Sequence, residues 1–262
     1  MLIKKEEVIV KKNIKSFNST FTLAEILITL GIIGIISAMT IPNLIGNIMG
    51  YQRAIKYKKV LSTLNNAIRM NKANYEWDLA DLNTFCGNSG NTHNPEITHS
   101  ICAVINGSIK GAQYYYDISN LKNSNDETYP VNNFHNPLSS VSNIKKLPTY
   151  IFQDGSMLML SNSIGKYPCT KTIEGGLKSA YRSPSGAASA CYGYIDINGI
   201  KGPNKYTRCK TGTLALARRI NNLEPNCIIN KKNIGDIFSV IFYDSTAEPI
   251  YDNDWAVLNI TK

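Results

Sequence analysis

The stretch FTLAEILITLGIIGIISAMTIP, Phe21 to Pro42, decides the reading of this chain. From Ile26 to Gln52 there is no charged side chain, and the densest part, Ile26–Ile41, is dominated by Ile and Leu. With its flanks this run reaches the roughly 20 residues that an α-helix needs to cross hydrocarbon. A secretory signal would have a shorter apolar core followed by a small-residue cleavage site. Here Pro42 and Asn43 lead instead into further helical pattern. One acid interrupts the picture. Glu25 stands at the head of the uncharged run, where a carboxylate costs on the order of 2.5–3.5 kcal/mol on insertion scales and calls for a partner. The helix dipole relieves only part of that cost. A free α-amine at Phe21 would be a natural counter-ion, and it exists only if the chain is cut between Thr20 and Phe21.

Upstream, residues 1–20 carry five lysines and two glutamates; downstream, Arg53, Lys56, Lys58 and Lys59 stand just past the run. The two basic flanks nearly balance, so charge counting does not orient the helix. Phe21-Thr22-Leu23-Ala24-Glu25, the apolar run and Pro42 resemble the signal of type IV pilins and type II secretion pseudopilins. That resemblance implies removal of a basic leader, residues 1–20, by a membrane prepilin peptidase and N-methylation of Phe21. Glu25 and Pro42 then become assembly residues, the first pairing with the new amine of a neighbouring subunit. It further implies, as partners, other pilin subunits, an inner-membrane assembly platform and membrane lipid. The matching residues lie within about 15–45, and Thr20 departs from the glycine that the family carries before the cut. Losing the leader would take the formal charge from +9 to +6.

Beyond the run, Tyr57, Leu61, Leu64, Ile68 and Tyr75 fall on one helical stripe, with Arg53, Lys56, Lys59, Arg69 and Lys72 mostly off it. A helix from about Thr22 to Trp77 is expected, with residues 21–52 as the membrane part and 53–77 as an amphipathic stem. Pro42 removes one hydrogen bond and is expected to kink or loosen it. Residues 78–262 read as a β-rich globular domain. Residues 148–160 pattern as a hairpin around Asp154-Gly155, and 191–197 and 237–243 as further strands. Residues 255–260 read as a last edge strand, and 83–146 hold no clear long helix. The expected class is α+β: a long N-terminal helix on an antiparallel sheet, pilin-like by the resemblance.

All six cysteines follow residue 85, an even set that favours disulfides in an oxidising exterior and hence a C-terminal domain outside the inner membrane. Sequential pairing is expected: Cys86 with Cys102, Cys169 with Cys191, Cys209 with Cys227. A Cys2His2 zinc site from Cys86, His93, His99 and Cys102 is the rival for the first pair, although it lacks a C-x2-C knuckle. The segment Asp196-Ile-Asn-Gly-Ile-Lys-Gly-Pro-Asn204 resembles a pseudopilin segment. With Asp236 it offers oxygen donors of the kind calcium accepts, Asp196, Asn198 and Asp236. The competing reading of the same residues is a turn capped by its own carboxylates. Tyr114-Tyr115-Tyr116 and the basic balance would suit nucleic acid, but the lysines are scattered, and buried or interfacial tyrosines are the favoured reading of the triplet. No phosphate loop, nucleophile elbow or H-E-x-x-H is present, so no enzyme is expected. The function implied is a minor pilin or pseudopilin subunit. The rivals are a DNA-binding or adhesive pilin and an anchored extracellular domain of other function.

Overall fold

The computed structural model describes residues 21–87, 90–119, 121–122, 129, 147–161, 164–165, 168–170, 191–201, 209–210, 224–249 and 252–260. The chain divides into two compact units, one up to Ile45 and one from Gly46 onward. Helix α1, Leu23–Tyr75, carries Pro42 within it. The proline does not end the helix.

In the first unit the apolar side chains face outward on every side. Leu23, Leu27, Ile28, Ile33, Ile35 and Met39 are all more than half exposed. The most hydrophobic window of this helix is long and apolar enough to cross a membrane, and none of it is buried.

In the second unit the same helix follows a stripe. Ala54, Tyr57, Val60, Leu61, Leu64, Ala67, Ile68 and Asn71 are buried at spacings of three and four, one face of a 3.6-residue period. Tyr75 is only half-buried, against the edge of the core. The helix ends because Glu76 turns to φ 63°, the left-handed conformation that closes helices. Trp77 then folds into the core, its indole N–H donating to the Pro95 carbonyl at 3.1 Å.

The sheet has six antiparallel strands in the order β1-β2-β3-β4-β7-β8. They are β1 Gln113–Tyr115, β2 Thr149–Ile151, β3 Met157–Leu160, β4 Tyr192–Asp196, β7 Ile237–Tyr243 and β8 Thr246–Pro249. The short strands β5, Cys209–Lys210, and β6, Glu224–Ile228, pair with each other in parallel. The expected 148–160 hairpin is β2–β3. Its turn closes through the Gly155 N–H on the Phe152 carbonyl at 2.9 Å, with Asp154 accepting from the Ser156 amide and hydroxyl.

Every residue of β7 is buried. Phe238, Val240 and Phe242 join the core that includes the stem stripe, whereas Ile237, Ile241 and Tyr243 join a second core with Ile118, Tyr129, Leu147, Met157 and Tyr194. This sheet is covered on both faces, which is why Ile-Phe-Ser-Val-Ile-Phe-Tyr shows almost no polar alternation.

One expectation needs correction. Residues 255–260 are not a strand, because Asp252–Asn259 forms helix α3. Asp254 and Val257 are buried one helical turn apart, and Asp254 accepts the Ser239 N–H of β7 at 3.0 Å, past the end of β8 at Pro249. The loop-like region also contains a short helix, α2, Ile101–Ser108, capped by the Ser100 hydroxyl on the Ala103 N–H. Its first five residues are buried, so packing stabilises what propensity alone would not.

Candidate functional site

Two places carry chemistry, one in each unit. In the first, Thr22 and Glu25 close the start of α1. The Glu25 carboxylate accepts from the Thr22 N–H at 2.8 Å and its hydroxyl at 2.9 Å, and the Thr22 hydroxyl in turn accepts from the Glu25 N–H at 3.3 Å. This is a capping box, visible in the sequence as Thr-x-x-Glu, a signal the counter-ion argument passed over. Two donors that a helix start leaves unpaired are thereby satisfied. Phe21 beside them is three-quarters exposed. Thr20, the residue before the expected cut, lies outside the described residues.

In the second unit, Asp196 is the last residue of β4 and Asp236 immediately precedes β7, at the same end of this antiparallel pair. Asp196 is fully buried. One carboxylate oxygen accepts the Asn198 and Gly199 amides, both at 2.9 Å, and the other accepts the Tyr129 hydroxyl at 2.6 Å. Burial raises its pKa to about 7; these three hydrogen bonds pull the other way, and the nearby Asp236 adds to the rise. Gly199 holds φ +59°, and a Cβ there would meet the Gly155 carbonyl at 2.1 Å, so glycine is needed both for conformation and for room. Asp236, also buried, faces the stem: Arg53 Nε lies 2.9 Å from its Oδ1, and Arg53 Nη1 donates to the Ile234 carbonyl at 2.9 Å.

The structure thus brings Asp196 and Asp236 together, as the calcium reading requires, but surrounds them with amide, hydroxyl and guanidinium donors. Those groups satisfy carboxylate lone pairs instead of leaving them for a cation. Among the described residues no group of three or more His, Cys, Asp and Glu is placed to hold a metal. The turn-capping reading of Asp196 is what the contacts display.

Cys86–Cys102 and Cys169–Cys191 are disulfides, which removes the thiolates that the zinc alternative needs. Its histidines are engaged elsewhere: His93 bridges the Tyr150 hydroxyl at 3.0 Å and the Gly87 carbonyl at 2.9 Å, and His99 stacks on Trp77 at 4.5 Å. The expected Cys209–Cys227 pair falls on side chains outside the described residues. Of the tyrosine triplet, Tyr114 packs edge-on to His93 at 4.4 Å and tilted on Tyr150 at 5.2 Å, while Tyr116 is about half exposed.

At the far end of the stem, Lys72 Nζ lies 2.7 Å from Asp78 Oδ2, which also accepts the Ser245 hydroxyl at 2.7 Å. Partial burial pushes the Asp78 carboxyl up, but Lys72, Ser245 and the Ala80 amide outweigh it and hold the pKa below its ordinary value. An open cavity of about 340 Å³ lies between Lys59, Thr63, Lys110, Phe152 and Gln153. No titratable pair with catalytic geometry converges on it; its one acid, Asp154, is bridged to Lys59 at 3.2 Å.

No protein-family model, no curated protein and no solved structure matches this chain.

Proposed function

We propose that this chain is a prepilin-type subunit of a type IV pilus or type II secretion pseudopilus, a minor one, whose function is assembly through its N-terminal helix. The observation that carries the reading is Glu25, in the first turn of α1, four residues after Phe21 and at the head of the uncharged run Ile26–Gln52. A long exposed apolar face needs an apolar surrounding. Lipid supplies it before assembly, and neighbouring copies of the same helix supply it in a filament. The buried stem stripe packed with an antiparallel sheet supports the same reading, since the second unit has its own core while the apolar side chains of the first stay exposed. Two disulfides fit a head held outside the inner membrane.

In this scheme prepilin peptidase removes residues 1–20 and methylates Phe21. The mature chain of 242 residues is large for a repeating filament subunit, which favours a minor position. Glu25 first caps its own helix and then pairs with the Phe21 amine of a neighbour. N-terminal mass spectrometry of protein extracted from its host membrane tests the scheme: the expected chain begins with N-methyl-phenylalanine at residue 21. Protein that keeps Met1 while functioning overturns it.

Two variants separate the roles of Glu25. Glu25→Gln keeps a capping side chain and loses the charge, whereas Glu25→Ala loses both. Both should be cleaved normally and both should fail to enter filaments, because an amine left alone in an apolar core costs about 3–5 kcal/mol. Normal incorporation of Glu25→Gln reduces Glu25 to a cap.

A further inference from the structure

The uncharged run ends at Gln52, and Ile26–Gln52 is 27 residues long. As a helix that is about 40 Å, enough for the hydrocarbon core and a headgroup layer. Side chains near residue 51 of a helix inserted in this way meet headgroups. Within the second unit, a loop distant in sequence packs against the helix next to Tyr51. The Lys231 carbonyl lies so close to Gly50 that a Cβ there would approach it to 1.7 Å, and the nearest Lys232 side-chain carbon is 4.0 Å from a Cβ built on Gly46. No residue but glycine permits the contact at position 50.

Two asparagine side chains brace that loop. Asn230 Oδ1 accepts the Lys232 N–H at 2.8 Å, and Asn233 Oδ1 accepts the Asn230 N–H at 2.7 Å. Immediately after it, Arg53 binds Ile234 and Asp236. The loop is therefore clamped to the helix on both sides of Tyr51. Lys231 and Lys232 are exposed, as are Lys56 and Lys58 on the helix. Lys231 Nζ sits 5.9 Å from the centre of the Tyr51 ring, and Tyr51 and Ile55 are each more than 40% exposed, 43% and 44%. Exposed aromatic and aliphatic groups amid lysines, where a span meets water, make the composition that membrane interfaces select.

We propose that Lys231 and Lys232, together with Lys56, Lys58 and Tyr51, form a collar that binds anionic phospholipid headgroups and seats the head of the protein on the bilayer before assembly. The collar needs the helix to be inserted, but not the leader cleavage or filament growth of the proposed function. Charge complementarity selects anionic lipid: each lysine near such a surface gains affinity, and the gain is screened by salt.

The test uses the full chain in vesicles of phosphatidylcholine alone or with about one third phosphatidylglycerol, read by hydrogen exchange of residues 229–234. The anionic vesicles should slow exchange about fivefold for each lysine engaged, and high salt should reverse it. Lys231→Gln with Lys232→Gln should abolish the difference while leaving exchange in the sheet unchanged. Equal exchange in the two vesicle types overturns the collar, as does protection that survives the double substitution. Protection of the loop by added duplex DNA in zwitterionic vesicles, with none from phosphatidylglycerol, also overturns the lipid assignment. Resistance to carbonate extraction is measured in parallel. A chain that resists it keeps its anchor even if the collar fails, and a chain that is extracted loses both. Neither result bears on whether Phe21 is the mature N-terminus.

Discussion

The two halves of α1 are built from the same backbone and demand opposite surroundings. Before Ile45 the apolar side chains point everywhere and stay exposed; from Ala54 to Ile68 most of them gather on one stripe that is buried in the core. The difference lies in pattern as much as in hydrophobicity. A helix apolar all round has no polar face to give to water, so it must be surrounded, whereas a striped helix needs only one partner. The first half therefore looks outside the chain for its stability, and the second half finds it within.

The sharpest way to break this contrast is to charge the first half. Ile32→Arg with Ile36→Arg should cost about 5–7 kcal/mol of insertion free energy and release the chain from carbonate-washed membranes, with the head still folded by circular dichroism. The matching change in the second half is Tyr57→Ala. Tyr57 is fully buried and stacks on Phe238 at 4.1 Å. Its loss should destabilise the head by about 3–5 kcal/mol in denaturant titration while membrane retention stays unchanged. Tyr57→Phe should act in the opposite direction, because the hydroxyl is buried with no hydrogen-bond partner among the described residues.

Asp196 sharpens the comparison through pH. Its folded pKa of about 7 lies above the ordinary value of 3.8, so the folded state holds the proton more tightly than the unfolded one. Stability should therefore fall as pH rises from about 4 to about 7, by on the order of 4 kcal/mol at most. Asp196→Asn should flatten that slope; a slope that persists in the variant assigns it to another group. Asp78 runs the other way, its lowered pKa giving stability that is lost as pH falls through the acid range. The smallest expected effect is that of Gly50→Ala, about 1–3 kcal/mol, seen as faster hydrogen exchange in residues 229–234 with little change at the Tyr57 end of the core.

Much of the architecture was legible because it is periodic. The stem stripe, the β2–β3 hairpin with its Asp-Gly turn, and β4 and β7 all announce themselves within a dozen residues. The spacing of the cysteines favoured local pairing, and the two described bridges follow it. What the sequence hid depends on distant or very short-range contacts. Helix α3 was misread because Val257 and Leu258 suit a strand as well as a helix; only the buried Asp254 on the Ser239 amide decides between them. Helix α2 is eight residues long and held by its burial and its disulfide. The contact of Gly50 with Lys231 joins positions about 180 apart in the chain, and no local pattern foretells it. At the candidate sites, Glu25 was found but its cap was missed; of the donors to Asp196, the Asn198 and Gly199 amides lie within the motif, whereas the Tyr129 hydroxyl comes from far outside it.

The two bridges join cysteines only 16 and 22 residues apart, and neither loop encloses the other. In a chain delivered from its N-terminal end, Cys86 and Cys102 would arrive well before Cys169. Each of these four thiols would then meet its mate as the next newcomer among them, so oxidation in order of arrival would form these two bridges without shuffling.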